Sequence, residues 1–451
     1  MHNVIEADLR RLDAGAGRPP TPALVGHGRF NGDLPVSSLA GAAVSAAVSA
    51  LQSLHDVNFG HLPDATVDRA KVDQWCRSSV IPLGWTLPSK WDPYANDYRT
   101  TDGWIRLHTN AEHHLAAARR VLGMPATPEA AGRAIARWDG EELETAIVEA
   151  GGCAARLRTR EDWDAHPQGR AVSEEPIVIW DEADKHPSRW RPVNAKRPLS
   201  GLRVLDLTRV LAGPVATRFL ASFGADVLRI DPPHWNEDGN AIEMTVGKTC
   251  AGLDLKDPDD REMFRRLVRE ADVLVHGLRA DALHKMGFGT VACRELNPGL
   301  VTVGLNAYGW SGPWSTRRGF DSLVQRSAGL AFERAGAIID LPYQVLDHAT
   351  GYLTAAAVLH GLRLQRSGDR VLSARLSLAR QAKLLIDHAT AACAEAGREG
   401  GPTDAQGSIE HTDWGDIRRI GLPYRVEGIE TGWRVAAHRL RSDPPAWHPA
   451  S

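Results

Sequence analysis

Between residues 201 and 233 short apolar runs alternate with an apolar-striped stretch, a pattern that predicts strand, turn, helix, strand. Residues 203–207 form a run of Val and Leu that contains Asp206. The turn Leu211-Ala212-Gly213-Pro214 follows, and Pro214 suits a first helical turn, where a missing N–H costs nothing. Val215, Phe219 and Leu220 fall on one helical face. Gly224 is placed to stop that helix. Residues 226–230 give a second strand, ended by Pro232 and Pro233. A crossover of this kind implies a parallel sheet buried on both faces, with ligands held beyond the carboxyl ends of its strands. The turn is not GxGxxG, so a dinucleotide fingerprint is absent.

The alternation continues downstream. Residues 250–255 predict a strand. Asp257 and Pro258 start a helix whose Met263, Phe264, Leu267, Val268 and Ala271 share a face, and strands follow at 272–278 and 300–305. Strands and helices at this spacing predict a doubly wound, Rossmann-like α/β domain over 201–394. Ahead of it, residues 1–90 predict an arm and two helices, at 38–54 and near 67–76. Residues 91–180 predict a small α+β domain, with a strand at 104–107 and helices at 111–122, 129–138 and 141–149. A polar linker, 181–200, joins the two. From 341 a loop ends at Asp347 and leads into a helix of small residues, with a second helix at 377–392. Residues 395–451 predict a mobile Gly-rich stretch and a C-terminal segment of short strands.

Composition narrows the function. Among 451 residues, 53 Lys and Arg face 56 Asp and Glu, a net charge of −3. That balance gives no support for nucleic-acid binding. The five cysteines (Cys76, Cys153, Cys250, Cys293, Cys393) are scattered and never form CxxC, which predicts reduced thiols in a cytoplasmic protein and no metal site. The opening residues are too polar for a signal peptide. The longest apolar run, 39–51, is too short to span a bilayer, so no membrane partner is expected.

Four stretches resemble the family III CoA-transferases, the CaiB/BaiF superfamily: RPLSGLRVLDLTRVLAGPVATRFLASFGADVLRIDPP, the segment from GLDLKDPDD to KMGFG, the segment from NPGLVTVGLNAYG to QRSAGL, and VLDHATGYLTAAAVLHGL. Together they cover about residues 198–380. Residues 91–178 are similar to that family's small domain, and 413–445 to the segment that follows it. In the family the nucleotide-binding half comes first; here the small domain precedes it. The chain also carries an internal echo. SLAGAAVSAAVSAL around Gly41 parallels HATGYLTAAAVLHG around Gly351, which sets Ser37 opposite Asp347. The echo suggests a degenerate partial repeat and one complete site per chain.

The resemblance implies movement of CoA from an acyl-CoA to a small free carboxylic acid, with CoA as co-substrate and no bound cofactor. It implies Asp347 as nucleophile. A carboxylate is ionised at pH 7 without help at its reference pKa of about 3.9, and it can attack a thioester to give a mixed anhydride. Asp387 repeats the same tetrapeptide but lacks the following Gly. His348 is expected at the surface. Arg229 and Arg279 match CoA-contact positions and are expected at the ligand edge of the sheet, with Lys248 nearer the adenine. Ala212 and Gly213 match the loop beside the thioester, where helix-start N–H groups can hold an oxyanion. Tyr308 and Gly309 match the loop facing the reacting carbon. The family's dimers imply a homodimer. Two other readings stand beside this one: a CoA-binding homologue without catalysis, and an α-methylacyl-CoA racemase. The racemase needs a histidine where Phe320 stands.

Overall fold

The computed structural model describes residues 1, 4, 7, 8, 19–30, 32–182, 185–279, 281–389 and 407–448. Part of the expected arm, chiefly 9–18, falls outside them, as does the Gly-rich stretch from 395 up to 406.

An N-terminal unit contains β1 (Ala23–Val25), α1 (Val36–Phe59), β2 (Ala65–Asp68) and α2 (Arg69–Arg77). The small domain follows. Its antiparallel sheet of β3 (Asp97–Arg99), β4 (Trp104–Leu107) and β5 (Ala154–Arg156) is backed by helices Glu112–Val121, Pro128–Ile135 and Gly140–Glu149. Thr127 and Asp139 accept backbone N–H groups at the starts of the last two helices, which fixes where each begins.

The large sheet is built from β6 (Ile179–Glu182), β7 (Arg203–Leu207), β8 (Asp226–Asp231), β9 (Lys248–Gly252), β10 (Val273–His276), β11 (Val301–Asn306) and β12 (Leu372–Ser377). Its spatial order is β9-β8-β7-β10-β11-β12-β6. All neighbours are parallel except β6, which pairs antiparallel with β12. The six parallel strands run third, second, first, fourth, fifth, sixth, so the switch point lies between β7 and β10, where an open α/β sheet leaves its ligand crevice. Helices α3 (Ala212–Ser222) and α4 (Pro258–Glu270) cover the sheet; α4 buries Phe264, Leu267 and Val268 of its predicted stripe, whereas α3 is buried on every side and not on one face alone.

The echo around Gly41 and Gly351 has a structural counterpart. Helix α5 (Val345–Gly368) leads into β12 and then α6 (Leu378–Asp387), as α1 leads into β2 and α2. Strand β12 lies between a parallel neighbour, β11, and an antiparallel one, β6. Strand β2 likewise lies between parallel β1 and antiparallel β13 (Tyr424–Val426). Both long helices end in a left-handed residue, Gly60 and Asp369, and they pack against each other in the main core. The N-terminal unit therefore repeats one edge of the large sheet without the crossovers that precede it.

Helix α1 is longer than the apolar run suggests. Its 24 residues meet the length and hydropathy of a membrane span, but 83% of its most apolar window is buried inside the fold, as the core helix of the repeat.

Candidate active site

Asp347 enters the fold on the first turn of α5. The helix starts at Val345 with Gln344 before it and no side-chain cap, so the carboxylate lies inside the helix and does not cap it. Asp347 is 9% exposed. It faces two cavities, a groove of about 460 Å³ and a chamber of about 70 Å³.

One helical turn on, Gly351 lies on the same face. A Cβ there would come within 2.4 Å of the Ala212 carbonyl and 2.8 Å of Val215. The glycine thus lets the start of α3 sit directly against the turn that carries Asp347. Gly213 is as tightly held, since a Cβ would fall 2.2 Å from Thr208. Between them Val210, a β-branched residue, is held at φ +64°. That conformation is costly for Val, and the Glu237 carboxylate accepts the Val210 N–H at 2.8 Å to fix it.

The electrostatics revise the simple view of the nucleophile. Burial first, and the neighbouring Asp321 second, push the Asp347 carboxyl well above its ordinary 3.8. Asp321 accepts the Asp347 N–H at 3.0 Å and the Gln325 amide at 2.6 Å, and burial raises it to about 6. Two carboxyls this close titrate as a pair. The expectation that Asp347 is ionised without help is corrected accordingly: the site holds a poorly solvated carboxylate, whose charge is costly until a substrate consumes it.

The groove runs from Asp347 across the carboxyl ends of the strands, past Leu207, Ile230, Leu253, Gly277 and Leu305. His113 and His114 of the small domain close the other side. Arg209, Lys256, Arg279 and Arg318 give it a cationic lining. The Arg209 guanidinium lies over the Trp235 ring, 4.8 Å from its centroid, which keeps the charge at the wall.

Of the residues singled out in the sequence, Asp347, Arg279 and Ala212 line this groove together, with Gly213 buried directly behind Ala212. The others lie elsewhere. Arg229 is wholly buried, because it lies inside β8, which runs to Asp231, one residue further than the pattern suggests. Its guanidinium pairs with Asp231 at 2.8 Å and Glu237 at 2.5 Å beneath the groove floor. Lys248 is also wholly buried, with its ammonium on Asp206 at 3.1 Å and the Pro214 carbonyl at 3.2 Å under α3. Tyr308 is buried with its hydroxyl on Ser327, and Gly309 is tied to Asn306, so Asn306 and Ala307 face the groove in their place. His348 is buried too; burial lowers it to about 3, so the ring is neutral. Asp387 ends α6 in an ion pair with Lys383, away from the site.

The sequence reading missed Asp321, Arg209, Lys256 and Arg318. Arg209 and Lys256 were within reach, since each follows a strand of the parallel sheet by a few residues. Asp321 carries no such signal, because its partner lies 26 residues away along the chain.

Residues 199–413 match the family described as CoA-transferase family III. Through this segment the chain belongs to that family. An "Acyl-CoA transferase" of Gibberella moniliformis is 29% identical over 349 residues, 68% of this chain and 61% of its own. The "Succinate--glutarate CoA-transferase" of Agrobacterium fabrum is 34% identical over 199 residues, 39% of this chain and 50% of its own. A crystal structure of Rv3272 from Mycobacterium tuberculosis, 30% identical, covers 42% of this chain and 57% of its own with a TM-score of 0.40. The chain spans about half to three-fifths of the length of the curated relatives it matches.

Proposed function

We propose that this family III protein moves CoA from an acyl-CoA to a free carboxylic acid, with Asp347 as nucleophile. The observation that carries the reading is the position of Asp347, at the one point where the cationic groove along the strand ends meets a second chamber. An Asp347 oxygen attacks the thioester carbon, the C–S bond breaks, and CoA leaves as a thiolate. The thiolate attacks the Asp347 side of the mixed anhydride, the donor acid departs as carboxylate, and an aspartyl-CoA thioester remains. The acceptor carboxylate repeats the two steps in reverse. N–H groups at the start of α3, beside Ala212, are placed to meet the oxyanion of each tetrahedral intermediate.

In this reading the CoA phosphates lie against Arg209, Lys256, Arg279 and Arg318, and the pantetheine arm follows the strand ends toward Asp347. Arg229 and Lys248 act from below. Arg229 neutralises Asp231 and Glu237, and Glu237 holds Val210 and the Trp235 indole at 2.8 and 2.9 Å. Arg279→Ala should raise the Kd for CoA ~10-fold, as expected for one charge-assisted contact, and leave that for pantetheine, which lacks phosphates, unchanged. Equal losses for both ligands would remove Arg279 from the phosphate site.

Asp321→Asn removes the like charge beside Asp347. The Asp347 pKa then falls, and the acid limb of the rate of enzyme-CoA formation should move to lower pH. An unmoved limb would show that Asp321 does not tune the nucleophile.

A racemase is disfavoured at Phe320, whose ring stacks on His108 with centroids 3.6 Å apart and offers no proton. The reading as a whole is tested by mixing acyl-CoA donors with free acids and following new thioesters by mass spectrometry. CoA binding without exchange in any pair would favour the non-catalytic alternative.

A further inference from the structure

The second chamber at Asp347 takes two of its lining residues, Cys76 and Arg77, from the N-terminal unit, the part of the chain that repeats the edge of the large sheet but has Ser37 where Asp347 stands. The small chamber at Asp347 shares Arg77, Trp91, Ser322 and Gln344 with an outer cavity of about 220 Å³. Arg77 is the last residue of α2.

Among the described residues the basic side chains around these two cavities pair off with one exception. Glu243 is held by Lys90 at 2.8 Å and by Ser79, and its pKa falls to about 2 against the cost of burial. Arg106 pairs with Asp97 at 2.8 Å. Asp340 pairs with Arg326. Among the described residues the Arg77 guanidinium makes no hydrogen bond or ion pair, and its one ring contact is loose, 5.9 Å from the Phe30 centroid. An exposed, uncompensated guanidinium therefore faces the same chamber as the Asp321–Asp347 pair.

We infer that Arg77 is the anchor for a second carboxylate on the acid that reacts at Asp347, so that the protein prefers dicarboxylic acids. This rests on the transferase reading above. The reacting carboxylate of the acid lies at Asp347, and the distal one leaves the chamber toward Arg77, whose planar fork fits a carboxylate with two parallel hydrogen bonds. The acceptor arrives on the side opposite the CoA groove, so both substrates reach Asp347 without crossing. The degenerate repeat thereby supplies substrate recognition in place of a nucleophile.

The test uses two five-carbon acids, glutarate and pentanoate, which differ at the distal carboxylate. Each is titrated by calorimetry into the full chain with CoA present, for the wild type, Arg77→Gln and Arg77→Lys. Glutarate should bind the wild type ~10–100-fold more tightly than pentanoate, the worth of a charge-assisted contact. Arg77→Gln should remove most of that margin and leave pentanoate within ~2-fold, whereas Arg77→Lys, which keeps the charge but loses the fork, should keep part of it. Equal binding of the two acids, equal losses in Arg77→Gln, or binding of neither acid would overturn the inference. Formation of enzyme-CoA from acetyl-CoA, whose acyl group carries no distal carboxylate, is followed in parallel in the wild type to show that Asp347 reacts. A preserved glutarate preference without any adduct would instead contradict the transferase reading and leave the anion site standing.

Discussion

Asp347→Asn should reduce CoA transfer by ~10⁴-fold or more, the scale seen when a covalent nucleophile is removed, and should make the protein more stable at pH 7.5. The two effects have one origin. Asp347 is buried beside Asp321, and its carboxyl is held well above 3.8 in the folded chain. A carboxyl whose folded pKa is raised binds its proton more tightly when folded. Below the unfolded value it carries no penalty, and the penalty grows as pH rises from there through the folded value. Asparagine has the same shape and no charge, so it removes the penalty at neutral pH. The melting temperature at pH 7.5 should rise by roughly 1 °C for each kcal/mol relieved in a chain of 451 residues, and the gain should vanish toward pH 3. Loss of activity with loss of stability would mean that Asp347 holds the fold and would weaken its assignment as nucleophile.

Arg229→Met should cost ~3–5 kcal/mol of stability, read from chemical unfolding, because it takes the main cation from two acidic side chains, Asp231 and Glu237, that are 0% and 5% exposed. The decisive comparison is the triple variant Arg229→Met, Asp231→Asn, Glu237→Gln. Removing the charges together avoids the stranded carboxylates and should restore most of the stability, since a buried ion pair is often replaced by neutral groups at little cost. If Arg229 acts only from beneath the groove, CoA affinity in the triple variant should stay within ~5-fold, less than a direct phosphate contact is worth. A larger loss of CoA binding in a stable triple variant would return Arg229 to the ligand surface, where the sequence pattern placed it.

The contrast between Arg229 and Arg279 shows how far a strand pattern reaches. Both occupy strand-end positions in the sequence, but the ladder of β8 continues to Asp231 while that of β10 stops at His276. A residue two places from the end of a buried strand points into the layer below, whereas Arg279 lies beyond the strand and reaches the groove. The apolar pattern sets an element's type more firmly than its last residue, and here the last residue decides between an architectural role and a binding one.

Larger features were legible for the same physical reason. The unit β7–α3–β8 closes its hydrogen bonds locally and carries its own punctuation at Pro214, Gly224 and Pro232. The α/β alternation follows from repetition of such units. By contrast, the sequence pattern runs the small domain into a linker at β6, because Ile179–Glu182 becomes a strand only by pairing with β12, 190 residues downstream. Strand β12 itself was missed, since the alternation in Leu372–Ser377 runs straight into the stripe of α6. The pattern around Val67 extends the helix over part of β2, although Asp68 caps that helix through the Ala70 and Lys71 N–H groups and marks the boundary. At the site, Asp347 was legible through the residues around it. The state of its carboxyl was not, because burial and Asp321 are tertiary facts.

Transfer through Asp347 is tested most directly by where CoA becomes attached. The protein, incubated with acyl-CoA without an acceptor and digested under mildly acidic conditions, can be mapped by mass spectrometry for a peptide heavier by one CoA less water. The adduct is expected on the peptide containing Asp347, should transfer to an added acid, and should be absent in Asp347→Asn. An adduct on Asp321 or elsewhere, or turnover with CoA never attached to the protein, would contradict transfer through Asp347.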